Sequence, residues 1–304
     1  MVKNTKIALL GGDRRQIYAL SRLAAMGRQM AVYGIHEDTV RSVYGGEVSF
    51  FSSAEEAIDG ADVILLPFPA TVDGVRINCP LDHAGASDTK LACVLRAASP
   101  DSIIVGGKLP KPFAMSAREK GVRVYDLLES ELFEMKNAYI TAEAALSVAM
   151  NALTKNIRGA RIAVTGFGRI SKHLCRLLSL LGASVSVAAR RDSDLALAAS
   201  LGYHPIRIDR QRWYGELTNG YDIIFNTVPT RIFESDFFNS VDRKTLLVEL
   251  ASAPGGFDIG AIQATSANVS WALSLPGKYA PESAGEIIAE GVEGILLGEV
   301  SANE

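Results

Sequence analysis

Cysteine is scarce in this chain, and neither sign of charge dominates. The three cysteines among 304 residues, Cys79, Cys93 and Cys175, lie far apart and form no Cys-x-x-Cys pair, which argues against a disulfide framework and a zinc site. The formal net charge is −3 with both signs interspersed, so no basic face for a nucleic acid is expected. No apolar run reaches the roughly 18 residues that span a bilayer, and no signal-peptide pattern opens the chain. We therefore expect a cytoplasmic protein with reduced thiols that binds neither membrane nor nucleic acid.

Short apolar segments rich in β-branched residues alternate with helix-like segments along the whole chain. The first half predicts strands at 6–10, 30–33, 63–67, 102–105 and 122–125, and the second half predicts strands at 161–165, 184–189, 223–226 and 246–250. Continuous apolar strands separated by helices are typical of parallel sheets covered on both faces. A chain of 304 residues has room for two such domains.

Two long helical segments belong to neither alternation. Residues 136–156 predict an interdomain helix, and residues 282–304 predict a C-terminal helix that packs back on the first domain, with Pro281 and Glu282 suited to its first turn. The segment SLPGKYA before Pro281 is predicted as a loop. The predicted fold is therefore α/β, with two Rossmann-like doubly wound parallel-sheet domains linked by long helices. Residues 1–135 would form a substrate and catalytic domain, and residues 157–281 a nucleotide-binding domain.

The clearest motif is a glycine-rich turn between a predicted strand and a predicted helix. The turn comprises Gly166, Phe167, Gly168, Arg169 and Ile170. Gly166 suits a tight turn, and Gly168 lets the backbone approach a pyrophosphate at the N-terminus of the helix. Ser171 occupies the third glycine position of the fingerprint and is only slightly larger. With a second strand at the right spacing, this context predicts a dinucleotide site rather than a tight turn in an empty fold.

The end of the second strand of that domain indicates which dinucleotide binds. An NAD site has an acidic residue there, whereas this chain has Arg190 and Arg191, which suit a 2′-phosphate. Ser193 adds a possible hydroxyl donor. We therefore predict NADP(H), the alternative being that both arginines are solvated surface residues. Two loops that follow strands should complete the cleft, although Pro and Gly are also ordinary turn residues. Their predicted contacts are Asn226, Thr227, Val228, Pro229, Ala251 and Ser252.

A second glycine loop, GGDRRQ at residues 11–16, opens the first domain. It lacks a third small residue in register, and no reader of a ribose 2′ group follows it. We interpret it as an anion-facing loop of a substrate domain. Arg15 is the first candidate to bind a substrate carboxylate and Arg14 the second, but either could be a surface residue at the start of a helix.

Seven segments in order resemble the family of dipicolinate synthase A subunits. They are IALLGGDRRQ, ILLPFPATVDG, NAYITAEA, VTGFGRI, FNTVP, LVELASAPGGFD and LPGKYAPESAGEII, and they extend from residue 7 to residue 288. The resemblance implies oxidation of dihydrodipicolinate to pyridine-2,6-dicarboxylate, with NADP⁺ as hydride acceptor. It also implies a partner, a flavoprotein-like B subunit, and the mother cell of a sporulating bacterium as the setting. We further expect a homo-oligomer.

The implied reaction requires a site that holds a planar dicarboxylate and provides one modest base. The candidates to contact the carboxylates are Arg15, Thr71, Lys108 and Lys278. Glu143 is a candidate base, or an orienter of a neighbouring cation. Glu143 could equally be a solvated residue on a helix surface, and solvation is also the alternative for both lysines.

Two other functions remain open at this stage. One is another two-domain dehydrogenase, of the alanine or 2-hydroxyacid type. The second of these types needs a histidine–carboxylate pair, and His36, His83, His173 and His204 all lie outside the loop where such a histidine is expected. The other is a non-catalytic NADP(H)-binding subunit that serves only when joined to its partner.

Overall fold

A computed structural model of the chain describes residues 5–82, 85–209 and 213–299. It forms two compact units. The first unit comprises Met1–Asn137 together with Gly277–Glu304, and the second comprises Ala138–Pro276. Within the described ranges, no helix combines the length and the apolar character that a membrane span requires.

The first unit is built on a parallel sheet. Its six described strands are β1 (Lys6–Leu10), β2 (Gln29–Tyr33), β3 (Ser49–Phe50), β4 (Val63–Leu65), β5 (Ile103–Gly106) and β6 (Arg123–Asp126). They lie in the order β3-β2-β1-β4-β5-β6, and every pair is parallel. This is the doubly wound order, in which the chain reverses direction across the sheet beside β1 and leaves a crevice at the strands' carboxyl ends.

Helices cover both faces of this sheet. They are α1 (Arg14–Ala25), α2 (Glu37–Arg41), α3 (Ala54–Ile58), α4 (Leu91–Ala97) and α5 (Lys111–Glu119). Successive strand residues point to opposite faces. Ile7 and Leu9 therefore join one buried cluster, while Ala8 and Leu10 join the other. The apolar runs of the sequence are thus explained by burial on both sides.

One helix of 22 residues, α6 (Glu131–Ala152), contains the boundary between the units. It begins five residues before the predicted interdomain helix and ends four residues earlier. A last helix, α12 (Pro281–Leu296), packs against α1 in the first unit. Gly285 makes this packing possible, because a Cβ there would lie 2.6 Å from the Arg15 carbonyl oxygen. Arg28 and Glu293 add a nearly buried ion pair at 2.6 Å.

The second unit repeats the architecture of the first. Its described strands are β7 (Arg161–Thr165), β8 (Ser184–Ala189), β9 (His204–Arg207), β10 (Ile223–Asn226), β11 (Leu246–Glu249) and β12 (Asn268–Trp271). Their order is β12-β11-β10-β7-β8-β9, all parallel. Its helices are α7 (Arg169–Leu180), α8 (Asp192–Ser200), α9 (Ser235–Ser240) and α10 (Ile259–Gln263). The predicted pair of Rossmann-like sheets is confirmed.

The three strands absent from the prediction, β3, β9 and β12, all lie at sheet edges. β3 has only two residues, β9 contains Pro205 and is mostly exposed, and the residues of β12 are exposed or half-buried. Edge strands are short and partly polar because one side faces water, so they lack a continuous apolar run. The predicted loop SLPGKYA was also wrong, since it contains a short helix, α11 (Leu275–Tyr279).

Candidate functional site

In the second unit, a cleft of about 340 Å³ opens at the carboxyl ends of β7, β8 and β10. Eight of the predicted coenzyme-binding residues line it: Gly166, Phe167, Gly168, Arg190, Arg191, Thr227, Val228 and Pro229. Neighbouring strands of a parallel sheet end at the same edge, which explains why three sequence-distant loops meet there.

The glycine turn has the geometry that its sequence predicts. Gly166 has φ +83°, and a Cβ there would lie 2.7 Å from Thr227 Oγ1. Gly168, in contrast, has open space where its Cβ would be, and within the described ranges no side chain caps the start of α7 behind it. An anion can therefore approach this backbone and the amide groups of the first helical turn. The residues present fit the pyrophosphate of a dinucleotide.

Ser171 replaces the third glycine without loosening the turn. Its side chain is fully buried, and its hydroxyl lies 2.7 Å from Thr227 Oγ1. The Thr227 hydroxyl also donates to the Thr165 carbonyl oxygen at 2.7 Å. The first turn of α7 is thereby tied to the loop after β10. Arg169 and Ile170, in that same turn, are not among the residues that line the cleft.

At the end of β8 the two predicted arginines differ in their surroundings. Arg191 donates two hydrogen bonds to Asp194, at 2.7 and 3.1 Å, and these raise the pKa of its guanidinium above the ordinary value. The exposed Arg190 guanidinium has no hydrogen-bond or ion-pair partner among the described residues. Arg190 is therefore the cation that is free to meet a phosphate, whereas Arg191 is held by a carboxylate that also lines the cleft.

The other acidic residue near this strand end is neutralised outside the cleft. Asp192 pairs with Arg207, and Arg207 also donates to the Arg190 carbonyl oxygen at 3.1 Å. Asp192 and the predicted donor Ser193 are both exposed, and neither lines the cleft. Ser193 thus stays a prediction that no contact in the structure supports.

Three predicted residues, Asn226, Ala251 and Ser252, do not line the cleft. Asn226 is fully buried and holds the Val228 backbone through both its amide atoms, at 3.0 and 3.2 Å. Ala251 is buried with its N–H donated to Glu249, and Ser252 is exposed on the loop that follows. Direct contact of the Asn226 side chain with a ligand would require the cleft wall at Val228 to open.

Four cleft residues are absent from the predicted set: Ala189, Asp194, Ile208 and Ile232. Asp194 stands three residues after Arg191 at the start of a helix, a spacing that favours an ion pair and that the sequence shows. Ile208 follows the unpredicted edge strand β9. Ile232 reaches the cleft through a long loop that carries no periodic signal.

In the first unit, several motif loops gather around the Arg15 guanidinium. Arg15 binds Asp13 through two nitrogens, at 2.8 and 2.9 Å, and also donates to the Phe68 carbonyl oxygen. A Cβ on Gly277 would lie 3.0 Å from Arg15 Nε, so Gly277 packs on this pair. Gly107 packs in turn on the Phe68 ring. The segments GGDRRQ, PFPAT and GGKLP (residues 106–110) and the residue Gly277 therefore meet beside the carboxyl ends of β1, β4 and β5.

The Arg15 guanidinium is already used in contacts within the first unit. Its side chain is only 14% exposed, and the Asp13 carboxylate compensates its charge. Arg14 beside it is exposed and has no partner among the described residues. A carboxylate ligand would therefore compete with Asp13 for Arg15 but would meet Arg14 without competition.

Thr71 and the two candidate lysines, Lys108 and Lys278, differ in whether their polar groups are available to bind a substrate carboxylate. The buried Thr71 hydroxyl is used within its own turn, since it donates to Asp73 at 3.1 Å and accepts the Gly74 N–H at 3.0 Å. Lys108 and Lys278 are exposed, and neither ammonium has a partner among the described residues. The two lysines are thus the freer candidates for an anionic substrate.

The backbone around Lys108 is fixed in an unusual conformation. Lys108 has φ +53°, which is rare for a residue with a side chain. Asp126 holds this turn by accepting the N–H groups of Lys108 and Leu109, at 3.0 and 2.7 Å. Burial raises the pKa of the Asp126 carboxyl, against the lowering effect of these donors. Backbone strain of this kind, here maintained by a half-buried carboxylate, is often found at functional positions.

Glu143 lies in the second unit, on the exposed side of α6. It hydrogen-bonds the Tyr139 hydroxyl one turn earlier and raises the pKa of that phenol. The Tyr139 ring packs edge-on against His173. Glu143 therefore has a partner within its own helix, and its predicted role as base stays a prediction.

The fold defines a class of protein: a two-domain dehydrogenase-like chain with paired Rossmann-like sheets. L-alanine dehydrogenase has the same fold, with a TM-score of 0.63 over 96% of this chain and 89% of that one. At 9% identity this is a likeness of fold alone. Residues 6–128 match the model of the N-terminal domain of the dipicolinate synthase A subunit. The dipicolinate synthase A subunit of Bacillus subtilis (strain 168) is 29% identical over 100% of this chain and 99% of its own. A crystal structure of that A chain from Bacillus subtilis superposes with a TM-score of 0.81, at 25% identity and 99% coverage of both chains. Residues 6–128 therefore match this N-terminal domain, and the resemblance of the whole chain to the dipicolinate synthase A subunit is confirmed.

Proposed function

We propose that this chain catalyses the NADP-dependent oxidation of dihydrodipicolinate to pyridine-2,6-dicarboxylate. The observation that carries the coenzyme assignment is the Arg190 guanidinium, which no described residue pairs, in the same cleft as the start of α7, which no described side chain caps. Similarity along the whole chain to the dipicolinate synthase A subunit supports the substrate.

The chain's own residues have separate tasks in this proposal. The amide groups at Gly168 and the start of α7 hold the pyrophosphate, and Arg190, with help from Arg191, holds the 2′-phosphate. Bound NADP⁺ supplies the hydride acceptor. In the first unit, Lys108 and Lys278 are the candidates to bind the two substrate carboxylates.

Aromatisation of a dihydropyridine removes one hydride and one proton, so the chain needs only a modest base. Glu143 is our candidate for that proton. Such a step requires no histidine–carboxylate pair, in contrast to the oxidation of a 2-hydroxyacid.

The cellular setting belongs to the proposal as well. We propose a homo-oligomeric state, the cytoplasm of the mother cell of a sporulating bacterium as location and, as partner, a flavoprotein-like B subunit. All of these rest on the family resemblance.

The test is an assay of the purified chain with NADP⁺ and freshly generated dihydrodipicolinate, with and without the B subunit. NADPH absorbance and chromatographic detection of dipicolinate report the reaction, and alanine and 2-hydroxyacids serve as competing substrates. Product formed by the chain alone supports the proposal. Product formed only when the B subunit is present favours a non-catalytic NADP(H)-binding role. Turnover of alanine or a 2-hydroxyacid, without dipicolinate formation, would overturn the substrate assignment.

A further inference from the structure

Glu249 is a fully buried carboxylate at the end of β11, directly behind the coenzyme cleft. Its oxygens accept four hydrogen bonds. Asn226 Nδ2 and the Ala251 N–H donate to Oε1 at 2.6 and 3.0 Å, and the Gly256 and Phe257 N–H groups donate to Oε2 at 2.8 and 3.1 Å. All four donors are neutral. A buried carboxylate surrounded in this way needs an explanation beyond charge pairing.

Two short connections lead from this carboxylate to the cleft wall. In the first, Asn226 turns its Nδ2 toward Glu249, and the opposite atom, Oδ1, then accepts the Thr165 hydroxyl at 2.6 Å and the Val228 N–H at 3.2 Å. A carboxylate only accepts hydrogen bonds, so Glu249 permits only one orientation of the Asn226 amide. That orientation in turn fixes the Val228 peptide, since Asn226 Nδ2 also donates to its carbonyl oxygen at 3.0 Å.

The second connection passes through Gly256. Its N–H donates to Glu249, and its carbonyl oxygen accepts the Ile232 N–H at 3.0 Å. Gly256 packs so closely on the Asn226 amide that a side chain could not be accommodated, and Gly255 has φ +77°. The two glycines of the LASAPGG motif are thus explained by the space that the Glu249–Asn226 pair occupies.

We propose that Glu249 is a positioning residue for the coenzyme, which fixes the cleft wall at residues 228–232 through Asn226 and Gly256. The inference rests on the proposed function, because it assigns Glu249 to the same NADP(H) cleft. Val228 and Ile232 line that cleft, whereas Glu249 does not. Glu249 therefore acts on the coenzyme through the backbone that it holds and makes no contact of its own.

The test compares Glu249→Gln with the wild type and with Glu234→Gln, a matched change at an exposed glutamate of the same unit. Glutamine keeps the size but presents an N–H₂ group to one pair of donors and lets the Asn226 amide turn over. We expect hydrogen exchange in residues 227–232 to accelerate about tenfold, which corresponds to loss of one net hydrogen bond of about 1.4 kcal/mol. NADPH affinity should fall by a similar factor, while exchange in β7 and β8 stays unchanged.

The outcomes separate this inference from the proposed function. Unchanged exchange in residues 227–232 of Glu249→Gln overturns the positioning role, and so does uniformly faster exchange across the whole unit. Wild-type protein that binds no nicotinamide nucleotide overturns the proposed function, while the exchange data still decide whether Glu249 holds the wall. If Glu249→Gln does not fold, Asn226→Ser provides the second variant. It leaves the three backbone donors of Glu249 in place and should loosen the segment around Val228 alone.

Discussion

Arg190 and Arg191 offer the sharpest test of coenzyme choice, because they are adjacent in sequence and different in environment. Arg190 has no partner in the described part of the chain, so Arg190→Ala should remove a full charge-assisted contact with the 2′-phosphate, about 1.5–3 kcal/mol. That loss weakens NADPH binding by about 10- to 150-fold. NADH has no 2′-phosphate, so its affinity should hardly change.

Arg191→Ala should behave differently. Arg191 is already paired with Asp194, and exposed ion pairs of this kind contribute at most about 1 kcal/mol. Its removal takes away a partly engaged cation and leaves the Asp194 carboxylate unpaired in the cleft. We expect weaker NADPH binding, and slightly better NADH binding where Asp194 can accept the ribose 2′-hydroxyl.

The assay is fluorescence titration of both reduced coenzymes, with Arg243→Ala as an exposed arginine control in the same unit. Titrations at several salt concentrations add a second criterion, since screening weakens a phosphate contact and spares an apolar one. Equal weakening of NADPH and NADH by Arg190→Ala would refute the reasoning, as would no change in either.

Three further predictions concern carboxylates: Asp194 in the cleft of the second unit, and Glu293 and Asp126 in the first unit. Asp194→Asn releases Arg191 and should strengthen NADPH binding by up to about fivefold, the worth of an exposed ion pair; weaker binding in the same titration would contradict this. Glu293→Gln breaks the nearly buried pair with Arg28 and should lower the free energy of unfolding by about 3 kcal/mol, measured by urea denaturation; a loss below about 1 kcal/mol would mean that water screens the pair. Burial raises the pKa of Asp126 in the folded state. Its contribution to stability is therefore greatest below the unfolded pKa of about 3.9 and declines as pH rises through the folded value. The free energy of unfolding of the wild type should accordingly fall relative to that of Asp126→Asn from about pH 4 to neutrality, and a difference that does not vary with pH would count against it.

Central strands could be predicted from the sequence almost to the residue. β7 and β10 are buried on both faces, so their apolar runs have the same length as the strands. The edge strand β9 could not be found in this way, because its exposed residues and Pro205 resemble a loop. Strand β9 was not predicted because its side chains are partly exposed to water and form no apolar run. Its backbone hydrogen bonds to β8 do not depend on such a run.

Cleft residues could be predicted where a residue suited to bind a phosphate comes soon after a parallel strand. Gly166 and Arg190 each follow a strand directly, with Gly168 two residues after Gly166, and a parallel sheet brings such positions together. Glu249 gave no comparable signal, because a glutamate that ends an apolar strand normally faces water. Only the folded loop shows that four N–H groups converge on it. For Arg15 the sequence is misleading in the other direction. Its type and position suggest an arginine that is available to bind a substrate carboxylate, whereas in the fold it is paired with Asp13.

The return of α12 to the first unit has a consequence for biosynthesis. The middle of the chain, Ala138–Pro276, is one continuous stretch, whereas the first unit also needs Gly277–Glu304. Domains generally fold as units while the ribosome is still at work, the earliest residues first. Here α1 must wait, because it buries its face against a helix that the ribosome makes only after the whole second unit. The second unit can therefore complete its core before the first unit does.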